Sequence, residues 1–103
     1  MDKLQEKTKK LLTEFERVRT KKWTPEAMLT DLTEEVGELA NAILVKEGFK
    51  NEKRAKADLV DSICDILFDV FMIAEEYNID VEKEYLKVLE QLQARIKKGE
   101  FKG

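Results

Sequence analysis

The chain has 103 residues, room for a single domain, and its composition of 43% hydrophobic and 40% charged residues excludes a disordered chain. It contains no histidine, which excludes Ser-His-Asp and Cys-His catalysis, and its net charge of −3 argues against a broad nucleic-acid-binding face. An apolar run of about 18 residues, which a membrane span needs, is absent. With the single cysteine Cys64 and no export pattern, the expected location is the cytoplasm.

The first half of the chain predicts two amphipathic helices. One covers residues 2 to about 20, and the second runs from Pro25 to about Lys46. Thr24 is a suitable N-cap for the second helix, and Gly48 suits a left-handed cap beyond its end. The apolar positions expected to pack the first helix are Leu4, Leu11, Leu12, Phe15 and Val18.

The second half predicts a basic loop over residues 46–56 and two further helices. A nearly continuous apolar sequence from about Ala57 to Tyr77 is too long for a strand and predicts a buried third helix. Asp80 suits the N-cap of a fourth helix, which ends before Gly99. The predicted fold is therefore an all-α, four-helix single domain over residues 1–103.

Two helices carry acidic ridges. The chain holds seven acidic residues and no Lys or Arg from position 58 to 80, where most neighbours are apolar. An acidic stripe is ordinarily a solvated helix face, but carboxylates on an apolar helix must be paired, protonated or bound to a cation. All-oxygen ligands favour Mg²⁺, with Mn²⁺ as the alternative, and a polyphosphate substrate would complete such a site. The ridges are Asp31, Glu34, Glu35 and Glu38 on the second helix and Asp58, Asp61, Asp65 and Asp69 on the third.

The segment EEVGELA at 34–40, followed by an Asp-bearing helix that ends in AEEYNID at 74–80, resembles the MazG family of all-α nucleoside triphosphate pyrophosphohydrolases. The resemblance covers about residues 23–96. The family's first signature is complete, but its second, Glu-x-x-Asp, has Ser62 in the place of Glu. The resemblance implies that Glu35, Glu38 and Asp65 bind the metal. The oxygen that the missing Glu would supply could come from Asp58, from Asp61 or from a water held by Ser62. We assign it to Asp61.

Further site residues follow from the resemblance and from charge. By resemblance, Trp23 and Asp69 hold the base, although Trp23 also suits a hydrophobic staple and Asp69 a core hydrogen bond or a further metal carboxylate. Glu34, beside a ligand, suits a group that accepts the proton of a bound water or orients that water. The residues expected at the substrate phosphates are Lys53, Arg54 and Arg95, for which solvated positions are the alternative.

The predicted function is Mg²⁺-dependent hydrolysis of a nucleoside triphosphate to the monophosphate and pyrophosphate. A phosphoribosyl-ATP pyrophosphohydrolase and a non-catalytic helical interaction module are the alternatives. A homodimer or homotetramer is expected, without nucleic-acid or membrane partners. The reason is surplus apolar surface on the third helix. Phe68, Phe71 and Met72 are left over there once the local core takes Ile63, Leu67, Val70 and Ala74.

Overall fold

The computed structural model describes residues 2–51 and 58–102, and this part of the chain is all-α without a strand. Four helices follow one another, and the four predicted from periodicity are confirmed. The chain is therefore an all-α protein. The helices are α1 (Asp2–Val18), α2 (Pro25–Lys46), α3 (Leu59–Glu76) and α4 (Val81–Lys97).

Side-chain caps begin three of these helices. Thr24 Oγ1 accepts from the Ala27 N–H at 3.2 Å, as predicted for α2. Asp80 Oδ1 accepts from the Lys83 N–H at 3.1 Å, as predicted for α4. At α3, Asp58 is the N-cap. Asp58 therefore begins the helix, and its carboxylate is not simply the first member of an acidic ridge.

The core lies between α2 and α3, which form the principal packed pair, and α1 also packs against α3. Phe15 of α1 meets Phe68 of α3 edge to face, with ring centroids 6.4 Å apart. On α3, Phe71 and Met72 are buried, whereas Ile63 is 53% exposed. The predicted division of α3 is therefore partly wrong. Ala74 is buried as predicted, but Phe71 and Met72 also belong to the local core, and Ile63 and Leu67 form the surplus apolar surface.

A buried glutamine joins α1 to the corner between α3 and α4. The Gln5 amide nitrogen donates to Glu75 Oε2 and to the Ile79 carbonyl, each at 2.7 Å. Its amide oxygen accepts from the Val81 N–H at 3.0 Å, and its backbone N–H donates to Glu82 Oε1 at 2.8 Å. The apolar positions predicted to pack α1 are partly wrong, because Leu4, Leu11 and Val18 are exposed while Gln5 is buried.

Helix α4 packs little against the rest of the chain. Six of its large apolar residues are between 38% and 57% exposed. The radius of gyration is 17.1 Å, compared with about 13 Å for a compact domain of this length. The fold thus leaves an amphipathic helix without an apolar partner in the described residues. The exposed apolar side chains of α4 are Tyr85, Leu86, Val88, Leu89, Leu92 and Ile96.

Candidate active site

Three carboxylates meet where α2 packs on α3. Glu35 and Glu38 are three residues apart, so they lie on one face of α2, opposite Asp65 of α3. One oxygen from each of the three lies within 4.8 Å of the others. Glu35 and Glu38 are half-buried and Asp65 is exposed. The structure thus brings together the three residues that the resemblance implied as metal ligands, and we name Glu35, Glu38 and Asp65 the carboxylate triad.

Crowding changes the acid strength of Glu35. Burial, followed by the negative charges of Glu38, Asp65 and Asp31, raises the pKa of Glu35 to about 6. Its Oε2 is buried and has no hydrogen-bond partner among the described residues. The pKa rises because each ionised neighbour makes it harder to remove the proton.

Asp69 lies one turn after Asp65 and is almost completely buried, at 3% exposure. Burial, followed by a hydrogen bond with Asp31 and the negative charges of Asp31, Glu35 and Asp65, raises the pKa of Asp69 to about 7. Its Oδ2 has no partner among the described residues. Asp31 and Asp69 are therefore close enough to share a proton across α2 and α3.

The carboxylate triad fits a hard divalent cation. Every candidate ligand atom is a carboxylate oxygen, and no ion pair among residues 2–51 and 58–102 involves these three residues. Burial and the neighbouring carboxylates raise the pKa of Glu35, and its Oε2 has no partner among the described residues, so its negative charge is disfavoured in the absence of a cation. A cation bound among the three carboxylates would offset that cost, and oxygen ligands are those that Mg²⁺ and Mn²⁺ prefer.

One cavity lies beside the triad and a larger one adjoins it. The smaller, of about 220 Å³, contains Glu35 and Asp65 in its wall, and the larger has a volume of about 520 Å³. Arg19, Trp23 and Met72 line both cavities. The smaller cavity is lined by Arg19, Trp23, Asp31, Glu35, Asp65, Phe68, Asp69 and Met72.

Trp23 and Asp69, predicted to hold the base, both lie in the wall of the smaller cavity. Trp23 is half-buried just before α2, and the Arg19 guanidinium carbon lies 4.5 Å from the centroid of its ring. The structure therefore places these two predicted residues in the wall of one cavity with Glu35 and Asp65.

Three other predicted residues, Glu34, Asp61 and Arg95, are not among those that line the smaller cavity. Glu34 and Asp61 are exposed, and Asp61 is in the first turn of α3, where its N–H donates to Asp58 Oδ1 at 2.8 Å. Arg95 donates to Glu100 Oε1 at 3.2 Å and stacks on the Phe101 ring, with 4.7 Å from its guanidinium carbon to the ring centroid. Lys53 and Arg54 lie outside the described residues. The roles of all five stay predictions.

Ser62, which stands where the family pattern has Glu, is completely buried at 0% exposure. Its hydroxyl oxygen has no partner among the described residues. The neighbouring groups pack closely around this small side chain. The space at position 62 is therefore smaller than a glutamate side chain needs.

Sequence reasoning assigned no site role to two charged residues of the smaller cavity, Arg19 and Asp31. Asp31 was placed in the acidic ridge of the second helix, four residues before Glu35, but without a contact to Asp69. Arg19 carried a weak signal: Phe15 precedes it by four residues and Trp23 follows it by four. Because α1 ends at Val18, that spacing alone did not predict that both rings would contact the guanidinium.

Comparison with known proteins identifies the family. The model of the MazG nucleotide pyrophosphohydrolase domain matches residues 23–99. YpjD of Bacillus subtilis strain 168, an uncharacterized protein, is 32% identical over 77 residues, which cover 73% of this chain and 69% of YpjD. A crystal structure of YpjD from Bacillus subtilis, described there as a candidate pyrophosphatase, superposes with a TM-score of 0.71 and 27% identity over 92% of this chain and 94% of that one.

No helix in the described ranges has both the length and the hydrophobicity needed to cross a membrane. The family match covers three quarters of the chain, and it includes the triad, Trp23 and Asp69. The chain therefore belongs to the MazG nucleotide pyrophosphohydrolase family and is a hydrolase that acts on nucleotides.

Proposed function

We propose that this protein is a Mg²⁺-dependent pyrophosphohydrolase that converts a nucleoside or deoxynucleoside triphosphate to the monophosphate and pyrophosphate. The observation that carries the proposal is the carboxylate triad, whose oxygens lie within 4.8 Å of one another beside a cavity of about 220 Å³. A base-sized cavity next to a cation site matches a substrate that has a planar base at one end and a polyphosphate at the other.

The triad, with Asp61 as a proposed fourth ligand, would hold Mg²⁺, and Mn²⁺ is the alternative ion. When bound, the ion supplies charge neutralisation for the phosphates and a lower pKa for an attached water. Glu34 would accept the proton from the attacking water, because it neighbours Glu35 and is exposed to solvent. Water adds its oxygen to phosphorus as the phosphoanhydride bond breaks, and the bridging oxygen leaves with one product.

Trp23 and Asp69 would hold the base in the smaller cavity. The indole ring offers a face for stacking, and the unpartnered Asp69 Oδ2 offers an acceptor for an N–H group of the base. Arg95, Lys53 and Arg54 are proposed at the phosphates; Arg95 would first have to leave Glu100, with which it pairs at 3.2 Å. The cytoplasm stays the expected location.

Assembly is part of the proposal. The apolar side chains of α4, and Ile63 and Leu67 of α3, are exposed to solvent, and no described residue buries them. A second copy of the chain would bury them, so we expect a homodimer or homotetramer. In such an assembly, Arg95 of one subunit would approach the carboxylate triad of its neighbour, because it lies on α4, which packs little against its own chain.

The test is a pyrophosphate-release screen over ribonucleoside and deoxyribonucleoside triphosphates, with and without Mg²⁺. The expected result is pyrophosphate and monophosphate in equal amounts, only with Mg²⁺. Hydrolysis in ¹⁸O-labelled water shows which phosphorus is attacked, since label in the monophosphate means the α-phosphorus.

Control reactions distinguish the proposed activity from its two alternatives. Glu38→Gln is expected to be inactive, because a neutral amide does not replace an anionic ligand. Release from phosphoribosyl-ATP alone would select the alternative substrate. A protein that releases pyrophosphate from no substrate, and whose melting temperature responds to Mg²⁺ no more than to equal ionic strength of NaCl, would be an interaction module.

A further inference from the structure

Arg19 is a cation held beside a group of carboxylates without being paired to any of them. It follows α1, where its N–H donates to the Phe15 carbonyl at 2.9 Å. Its guanidinium carbon lies 4.7 Å from the Phe15 ring centroid and 4.5 Å from the Trp23 ring centroid. Among residues 2–51 and 58–102, no carboxylate lies within ion-pair distance of it.

Stacking leaves the polar edge of the guanidinium available. The guanidinium lies over the rings of Phe15 and Trp23, which do not accept its N–H groups as a carboxylate would, and it carries five such donors in one plane. No described residue accepts a hydrogen bond from these donors. The two rings restrict the side chain, so less entropy is lost when a ligand binds it.

The wall of the smaller cavity is rich in acidic residues, so an anionic substrate would need a cation such as Arg19 there. Four carboxylates line its wall, and Arg19 is the one basic residue among the described residues that line it. A polyphosphate brings several further negative charges, and a divalent ion cancels only two. Arginine binds phosphate oxygens through two parallel N–H groups, a geometry that lysine does not offer.

We propose that Arg19 is a substrate-binding residue that donates hydrogen bonds to the phosphates of the nucleotide held at the carboxylate triad. The inference rests on the proposed function and deepens it, because it assigns a phosphate contact to the end of α1, upstream of the segment that matches the family model. Phe15 and Trp23 position the guanidinium in the wall of both cavities.

The experiment measures binding by calorimetry in the presence of Mg²⁺ with three probes. These are inorganic pyrophosphate, a nucleoside triphosphate whose α,β-bridging oxygen is replaced by methylene, and the corresponding nucleoside. The substitutions are Arg19→Gln and Arg19→Lys, with Arg17→Gln as the matched control, since Arg17 is an exposed arginine in the last turn of α1.

Arg19→Gln is expected to weaken pyrophosphate and triphosphate-analogue binding by about 10- to 100-fold, as the loss of a charged hydrogen-bond donor does, and to leave nucleoside binding within about twofold. Arg19→Lys is expected to recover part of the loss, and Arg17→Gln to show none. Equal weakening of the nucleoside, or an equal effect of Arg17→Gln, would overturn the proposal. If Arg19→Gln does not fold, the comparison of Arg19→Lys with the unsubstituted protein measures the same loss of phosphate binding.

The same samples separate this inference from the proposed function. Pyrophosphate binding that depends on Arg19, in a protein that hydrolyses no triphosphate, would support the phosphate contact and reject the activity. Triphosphate hydrolysis with unchanged KM in Arg19→Gln, together with unchanged pyrophosphate binding, would reject the contact and leave the activity standing.

Discussion

Replacing Asp69 by asparagine should change how stability depends on pH in the metal-free protein. Asp69 is 3% exposed, and burial together with the neighbouring acidic groups raises its pKa from 3.8 to about 7. Between those two pH values the folded protein holds a proton that the unfolded chain has lost. The free energy of unfolding therefore falls as pH rises from about 4 to 7 and then becomes constant.

The size of the effect follows from the shift. One pKa unit corresponds to about 1.4 kcal/mol, so ionising Asp69 costs the folded state on the order of 4 kcal/mol at pH 8. Part of this cost is already present at pH 5, where the unfolded chain has lost most of its proton, so a change of about 3 kcal/mol remains between pH 5 and 8. This figure is an upper limit for Asp69, because the proton is shared with Asp31.

The assay is urea unfolding at pH 5 and pH 8 with EDTA present. Asp69→Asn has no proton to lose at this position, so its stability relative to the unsubstituted protein should increase between pH 5 and 8 by up to about 3 kcal/mol. Asp61→Asn is the matched control, since Asp61 lies exposed on the same helix. A difference between Asp69→Asn and the unsubstituted protein that is the same at both pH values would refute the buried, shared proton.

Three further predictions concern the triad, its neighbour and the assembly. Glu38→Gln and Asp65→Asn should each abolish the Mg²⁺-induced rise in melting temperature and lower turnover by at least about 100-fold while the metal-free protein stays folded; a retained Mg²⁺ response in both would count against the site. Ser62→Glu should lower the free energy of unfolding by about 2 kcal/mol or more, because Ser62 is 0% exposed, whereas Ser62→Ala should stay within about 0.5 kcal/mol; denaturant melts decide. Leu89→Lys on α4 should shift the protein toward monomer in light scattering, and an unchanged mass would contradict an interface there.

Much of the fold was predictable from local signals. Apolar periodicity predicts four helices, and short polar side chains at Thr24 and Asp80 predict where two of them begin, because capping involves only neighbouring residues. The triad was also predictable in outline. Glu35 and Glu38 share a helix face whatever α2 packs against, and the signature that includes them carried the resemblance to the MazG family.

The tertiary structure decided which face of each helix became the core. Gln5 is buried and Leu4 is exposed because the α3–α4 corner supplies hydrogen-bond partners for an amide at that point. Likewise, Phe71 and Met72 are buried because α2 and α1 pack on that side of α3. Periodicity identifies apolar faces, but a helix that is apolar around most of its circumference does not reveal which of them packs inside the chain.

The sequence by itself determined the helices, their caps and the acidic positions that identify the family, since these depend on residues within about one or two helical turns. Only the tertiary structure decided that Asp31 meets Asp69 across two helices and that Phe15 and Trp23 enclose Arg19. Both arrangements depend on the packing of separate segments. Acid strength and access to the cavity follow from those distances and from burial, which no local pattern encodes.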